Sequence, residues 1–138
     1  MDKKFDYISE AMCRMKIKLL VRDVDGTLTD GKIYMGENGE AMKVFDIKDG
    51  YAIAYILPEI GIVPVIITGR ESKIVENRAK ELGITELYQG KFDKLETLLN
   101  VMKKYNCTKE NVAYIGDDIP DIVCMKESAI AACPADAV

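Results

Sequence analysis

The residues that could do chemistry in this chain are mostly carboxylates, and they come in tight groups. Asp23 and Asp25 stand one residue apart, just ahead of Gly26-Thr27. Asp117 and Asp118 follow Gly116, and Asp121 comes shortly after. Between these groups lie Thr68-Gly69-Arg70 and Lys94, which add a hydroxyl, a guanidinium and an ammonium group. The sequence contains 0 histidines. That removes hydrolysis by a serine or cysteine with a histidine base, most zinc catalysis and histidine-driven pH switching. A single aspartate of this kind caps a helix or closes a turn, and Asp49 and Asp93 are expected to do so. The set as a whole would repel itself strongly without a cation. A hard divalent ion with oxygen ligands fits, and Mg²⁺ is the natural choice.

The elements that must position these groups are legible from hydrophobic spacing. Ile17 to Asp23 reads as a short buried strand ending in an acid. Lys32 to Met35 and Ala41 to Phe45 flank Gly36-Glu37-Asn38-Gly39, a β-hairpin over about residues 32–46. Asp49 is expected to cap a helix that runs to about Ile60, and Ile62 to Thr68 is a continuous apolar strand. Ser72 then opens a helix that Gly83 ends, and Thr85 to Tyr88 is a brief strand. Asp93-x-x-Glu96 is a capping box for a helix carrying Leu95, Leu98, Leu99, Met102 and Tyr105. Asn111 to Ile115 is a strand, Pro120 suits the first turn of a helix to about Lys126, and Ala129 to Ala132 is a last strand. Strands alternating with helices imply an α/β fold with a parallel sheet flanked by helices. In such sheets ligands bind at the carboxyl ends of the strands, where Asp23, Thr68 and Asp117 would converge.

Composition sets the outer bounds. The chain has 138 residues, 19 basic and 23 acidic, for a formal net charge of −4. This length suits one domain over residues 1–138, with 1–16 as an N-terminal extension. At 49% apolar residues a core can form, and disorder as the main state is excluded. No apolar run approaches the ~20 residues of a membrane span, and no signal-peptide stretch is expected. The acidic balance argues against a nucleic-acid partner. Cys13, Cys107, Cys124 and Cys133 read as free thiols of a cytoplasmic protein.

Asp23-Val24-Asp25-Gly26-Thr27-Leu28-Thr29 resembles the first motif of the haloacid dehalogenase (HAD) superfamily. Thr68 at a strand end is similar to its second motif, Lys94 to its third, and Gly116-Asp117-Asp118-x-x-Asp121 to its fourth. The resemblance implies a Rossmann-like HAD fold and a phosphatase. Asp23 would be the nucleophile that forms an aspartyl-phosphate, and Asp25 the general acid, then the general base. Mg²⁺ would be held by the Asp23 side chain, the Asp25 main-chain carbonyl and Asp117. Thr68 and Lys94 would hold phosphoryl oxygens, with Asp118 and Asp121 orienting Lys94 or metal-bound water.

The motif spacings leave no room for a cap domain. Thr29-Asp30-Gly31-Lys32-Ile33-Tyr34-Met35-Gly36, Lys48-Asp49-Gly50-Tyr51 and Leu87-Tyr88-Gln89-Gly90 resemble the capless branch that contains 3-deoxy-D-manno-octulosonate 8-phosphate (KDO 8-phosphate) phosphatases. That resemblance implies a homotetramer in which hairpins meet and a neighbour completes each site. It also implies a small sugar-acid phosphate as substrate, contacted by Gly69, Arg70 and Lys48, with Arg78 reaching a neighbour's site. Arg70 in place of the Glu of nine-carbon relatives favours the eight-carbon acid. The alternatives are an N-acylneuraminate or KDN 9-phosphate phosphatase, or an oligomerisation module associated with a sialic acid cytidylyltransferase. A response-regulator receiver is disfavoured, because Tyr88-Gln89-Gly90 lacks the phospho-accepting acid. Three features depart from the branch. Arg22, beside Asp23, either faces away to pair with an acid or perturbs Asp23. Lys91-Phe92 replaces a small polar pair, and relatives carry a further tail beyond the position of Val138.

Overall fold

The computed structural model describes residues 16–138. Most of the expected N-terminal extension, with Cys13, lies outside the described residues. Among the described residues, seven strands form a five-stranded sheet and a separate hairpin. The strands are β1 (Leu19–Arg22), β2 (Tyr34–Gly36), β3 (Gly39–Met42), β4 (Val63–Ile67), β5 (Glu86–Tyr88), β6 (Val112–Ile115) and β7 (Ile130–Ala132). The sheet order is β5-β4-β1-β6-β7, and every neighbouring pair is parallel. This is the α/β architecture expected, and its central strand β1 is the one that ends in the Asp23 motif. The chain leaves β1 toward one side of the sheet and returns to the other, so the switch point lies at the end of β1.

Side-chain alternation along β1 divides the core into two layers. Leu20 and Val24 join Ile53, Leu57, Ile66, Val75 and Ala79 on one face. Leu19 and Val21 join Val65, Ile67, Leu98, Val101, Tyr114 and Cys124 on the other. Each large aliphatic side chain buried here contributes about 1.5–3 kcal/mol. The first layer is covered by α1, a compound helix whose segments are α-helical at Ile47–Tyr51, π-helical at Ala52–Ile56 and α-helical at Leu57–Glu59, and by α2 (Lys73–Glu81). The second is covered by α3 (Lys94–Lys104) and α4 (Ile122–Lys126).

Local differences from the expected elements have simple causes. Helix α1 starts earlier than expected: Asp46, not Asp49, is the N-cap, and its carboxylate accepts from the Lys48 N–H at 2.6 Å. The π-turn precedes Pro58, which has no N–H to give the helix; the Leu57 N–H reaches back to the Ala52 carbonyl instead. The hairpin strands are shorter and closer than expected, pairing Gly36 with Gly39 across Glu37-Asn38. Gly39 takes the positive φ of +109° that closes this turn. Ser72 occupies the N-cap position of α2 but makes no cap bond, because its hydroxyl is given to Glu40 at 3.0 Å.

Candidate active site

The carboxyl end of β1 delivers Asp23, whose N–H is tied to the Ile115 carbonyl at 3.1 Å. The end of β4 delivers Thr68, buried, with its N–H on the Tyr88 carbonyl at 2.9 Å and its carbonyl accepting from Lys91 at 3.1 Å. Helix α3 begins at Lys94, behind the N-cap Asp93, whose carboxylate accepts from the Glu96 N–H at 3.0 Å. The end of β6 delivers Asp117. Backbone pairing of β1, β4 and β6 therefore brings together residues from distant parts of the chain.

Lys94 Nζ lies 2.8 Å from Asp23 Oδ1 and 2.7 Å from Asp121 Oδ1. Asp121 is 0% exposed and accepts from Lys94, from the Tyr114 hydroxyl at 2.8 Å, and from the Asp117 and Asp118 N–H groups at 3.2 and 3.3 Å. A buried carboxylate this well supplied with donors is a fixed anchor for Lys94. Gly116 makes room for it, since a Cβ there would sit 2.3 Å from Asp121 Cγ. Asp118 plays a different part. It is exposed, it caps the turn at the Ile119 N–H at 2.6 Å, and its side chain does not touch Lys94.

Burial pushes the Asp23 carboxyl up to about 6, against the pull of Lys94. Burial alone would lower Lys94, but its hydrogen bonds to Asp121 and Asp23 outweigh that and hold it above the usual lysine range. The Tyr114 hydroxyl is pushed up by burial and by its bond to Asp121, so it stays a neutral donor.

Oxygens of Asp23, Asp117 and Asp121 lie within 4.8 Å of one another. Asp121 is already saturated with donors, so Asp23 and Asp117 are the carboxylates free to hold a cation. Thr27 Oγ1 donates to Asp117 Oδ1 at 3.1 Å and orients it. Gly26, at φ +93°, forms the floor of this cradle: a Cβ there would fall 1.9 Å from Asp117 Oδ2. An all-oxygen donor set of this kind fits Mg²⁺. The Asp25 carboxylate is not one of these three and pairs with Lys43.

Lys43 and Glu40 were not singled out by sequence spacing. Lys43 sits in a strand-like run between Met42 and Val44, both exposed, and nothing in the sequence marks it as a site residue. Its side chain is 2% exposed and also pairs with Glu40 at 2.8 Å. Glu40 in turn takes the Ser72 hydroxyl and lies 3.6 Å from Arg70. Its hydrogen bond from Lys43 holds the Glu40 carboxyl below the usual range. Gly69 is open above its Cα, and Arg70 is exposed beside the hairpin. Lys48 and Arg78 lie elsewhere. Lys48 is exposed on α1. The Arg78 guanidinium lies over the Phe45 ring, pairs with Glu81 at 2.9 Å and fills the space beside Gly50. Arg22 follows Leu20 on the face covered by α1, away from Asp23. Burial there lowers its pKa, and Asp49 supplies the opposing charge.

A parallel α/β sheet with an acid-and-lysine cluster at the end of its central strand defines a class of hydrolase fold. The sequence model for haloacid dehalogenase-like hydrolases matches residues 71–137. The chain is 48% identical over 121 residues to the 3-deoxy-D-manno-octulosonate 8-phosphate phosphatase KdsC of Escherichia coli (strain K12), covering 88% of this chain and 64% of that protein. It thus spans 64% of the length of the curated relatives it matches. The crystal structure of the corresponding phosphatase from Yersinia pestis superposes with a TM-score of 0.86 at 46% identity, covering 91% of this chain and 68% of that one. The Moraxella catarrhalis phosphatase, in complex with magnesium, phosphate and KDO, gives 0.85 at 40% identity, covering 94% and 75%. The chain belongs to the haloacid dehalogenase-like hydrolase family.

Proposed function

We propose that this chain is a Mg²⁺-dependent phosphatase of a sugar-acid phosphate, with KDO 8-phosphate as the first candidate. The supporting observation is the buried Asp23–Lys94–Asp121 chain of contacts beside a free Asp117, in a protein similar to phosphatases of that substrate. In this reading Asp23 attacks phosphorus, the ester P–O bond breaks, and the leaving alcohol takes a proton from Asp25. Water then gives its proton to Asp25 and attacks the aspartyl-phosphate, which releases inorganic phosphate and free Asp23. Thr68 and Lys94 hold the non-bridging oxygens. Lys94 also offsets the charge of Asp23, and Asp121 keeps Lys94 in place. Mg²⁺ held by Asp23, Asp117 and the Asp25 carbonyl would neutralise charge on the phosphoryl group. Arg70, exposed at the site's edge, suits a substrate carboxylate.

Ile33, Met35, Met42, Val44 and Ile47 are all exposed on and beside the hairpin. This apolar stripe supports self-association, and a homotetramer is the form we propose. Lys48 and Arg78 would meet substrate only in a neighbouring copy. The assembly is proposed to work in the cytoplasm; no helix among the described residues is long and apolar enough to cross a membrane. The test is phosphate release from KDO 8-phosphate, from an N-acylneuraminate 9-phosphate and from other sugar phosphates, with Mg²⁺. KDO 8-phosphate should be hydrolysed fastest, and Asp23→Asn should abolish turnover. Release no greater than that of Asp23→Asn would end the enzymatic reading, and faster release from the nine-carbon substrate would reassign it.

A further inference from the structure

The acid–base carboxylate is not anchored by the sheet that carries it. Asp25 lies in the loop after β1, and its only charged partner among the described residues is Lys43, on the far side of the hairpin. Lys43 belongs to a segment otherwise turned to solvent, with Met42 and Val44 about half exposed. Its own side chain is covered and caught between two carboxylates, Asp25 and Glu40. Burying a lysine is costly unless it is paired, so such a group holds its partners to one geometry. Glu40 is held in turn. It takes the Ser72 hydroxyl at the start of α2 and sits 3.6 Å from Arg70. The Ser72 N–H is fixed to Gln89 Oε1 at 2.9 Å, beyond the end of β5. A continuous polar strut therefore runs from the sheet edge through Ser72, Glu40 and Lys43 to Asp25.

We propose that Lys43, braced by Glu40, is a positioning residue that sets where the Asp25 carboxyl group meets the leaving oxygen. The hairpin is then part of the catalytic machinery as well as an outer flap. The inference rests on the phosphatase reading above, with Asp25 as proton donor. A tether that merely stabilised the hairpin would affect all substrates alike. A brace on the proton donor matters most where the leaving group most needs a proton.

The experiment uses a series of substituted phenyl phosphates whose leaving groups differ in basicity. kcat/KM, which reports the steps through P–O cleavage, is plotted against leaving-group pKa for the wild type, Asp25→Asn, Lys43→Met, Lys43→Arg and Glu40→Gln. Lys43→Met should steepen the dependence in the same sense as Asp25→Asn. It should lose about 10²-fold on the most basic leaving groups, the scale of a misplaced catalytic group, and little on nitrophenyl phosphate. Lys43→Arg should restore most of the wild-type slope, and Glu40→Gln should fall between. Parallel lines for the wild type and Lys43→Met, displaced or not, would overturn the positioning role while leaving the phosphatase reading intact. A wild type inactive on these phenyl phosphates and on the sugar phosphates above would remove both. Glu40→Gln keeps Lys43 and its pairing with Asp25, so a poorly folded Lys43→Met protein still leaves the slope of that second variant to decide.

Discussion

Asp121 gathers more hydrogen bonds than either other carboxylate of the cluster. It is fully enclosed and takes donors from a lysine, a tyrosine and two main-chain amides. Asp121→Ala would strand all of them and leave Lys94 half-paired, at a cost of about 3–5 kcal/mol. The melting temperature should fall by more than about 10 °C, whereas Tyr114→Phe, which removes one donor, should cost about 1 kcal/mol; thermal unfolding of both variants checks this. Asp23 carries a second expectation. Its carboxyl is pushed up to about 6 by burial, so below that pH a cation must displace a proton from it. Mg²⁺ affinity should therefore hold above pH 6 and weaken up to about tenfold per unit below it, as read by titration calorimetry. For the metal-free fold the sign is opposite. The native state holds this proton more tightly than the unfolded chain, so the group's contribution to stability declines as pH rises toward 6. The sequence made Asp23, Asp117 and Lys94 visible, because motif spacing marks groups at strand ends. Lys43 and Tyr114 were not visible as site residues, since a lysine in a hairpin and a tyrosine in a strand carry no mark of whom they will meet.

At the scale of elements, precision depends on where α3 begins. Lys94 is its first residue, so the Asp93 cap decides where the ammonium points. Asp93→Ala should cost about 0.5–2 kcal/mol of stability. It should also lower phosphate release more than a cap elsewhere would, and Asp46→Ala at α1 is the matched control; turnover and unfolding measured side by side test it. The strands and α3 were legible because their apolar periods are long enough to register. The start of α1 was not, because Asp46 and Asp49 are both competent caps and only tertiary packing selects between them. The π-turn was also hidden. Its cause, Pro58, is in the sequence, but a helix can also stop at a proline, and burial of Ile53 and Leu57 on one face is what keeps this one going. The hairpin strands are shorter than the strand-like runs for a similar reason: the ladder closes across Glu37-Asn38, where Gly39 supplies the positive φ.

For the whole molecule, the telling feature is the apolar surface that the described residues leave uncovered. Met35 is 67% exposed and Ile47 83% exposed, on the same side as the hairpin that braces Asp25. If copies meet there, Met42→Glu should dissociate them, and light scattering after gel filtration should show a smaller species with unchanged secondary structure. An unchanged mass would count against the hairpin as the contact. Fold class was open to sequence reading because alternating strands and helices leave few topologies. The homotetramer is an expectation from the family resemblance alone, because exposed apolar residues acquire meaning only once neighbouring elements have failed to cover them. The long reach of the site's contacts has a further consequence in time. Asp23 meets Lys94 across 71 positions, and Thr27 meets Asp117 across 90. Closing loops of that length is slow compared with winding a helix. During synthesis, β1 gains its second neighbour only once residues 112–115 have been made, and Asp117 and Asp121 follow directly. The acid cluster is therefore completed late, together with the β1–β6 pairing.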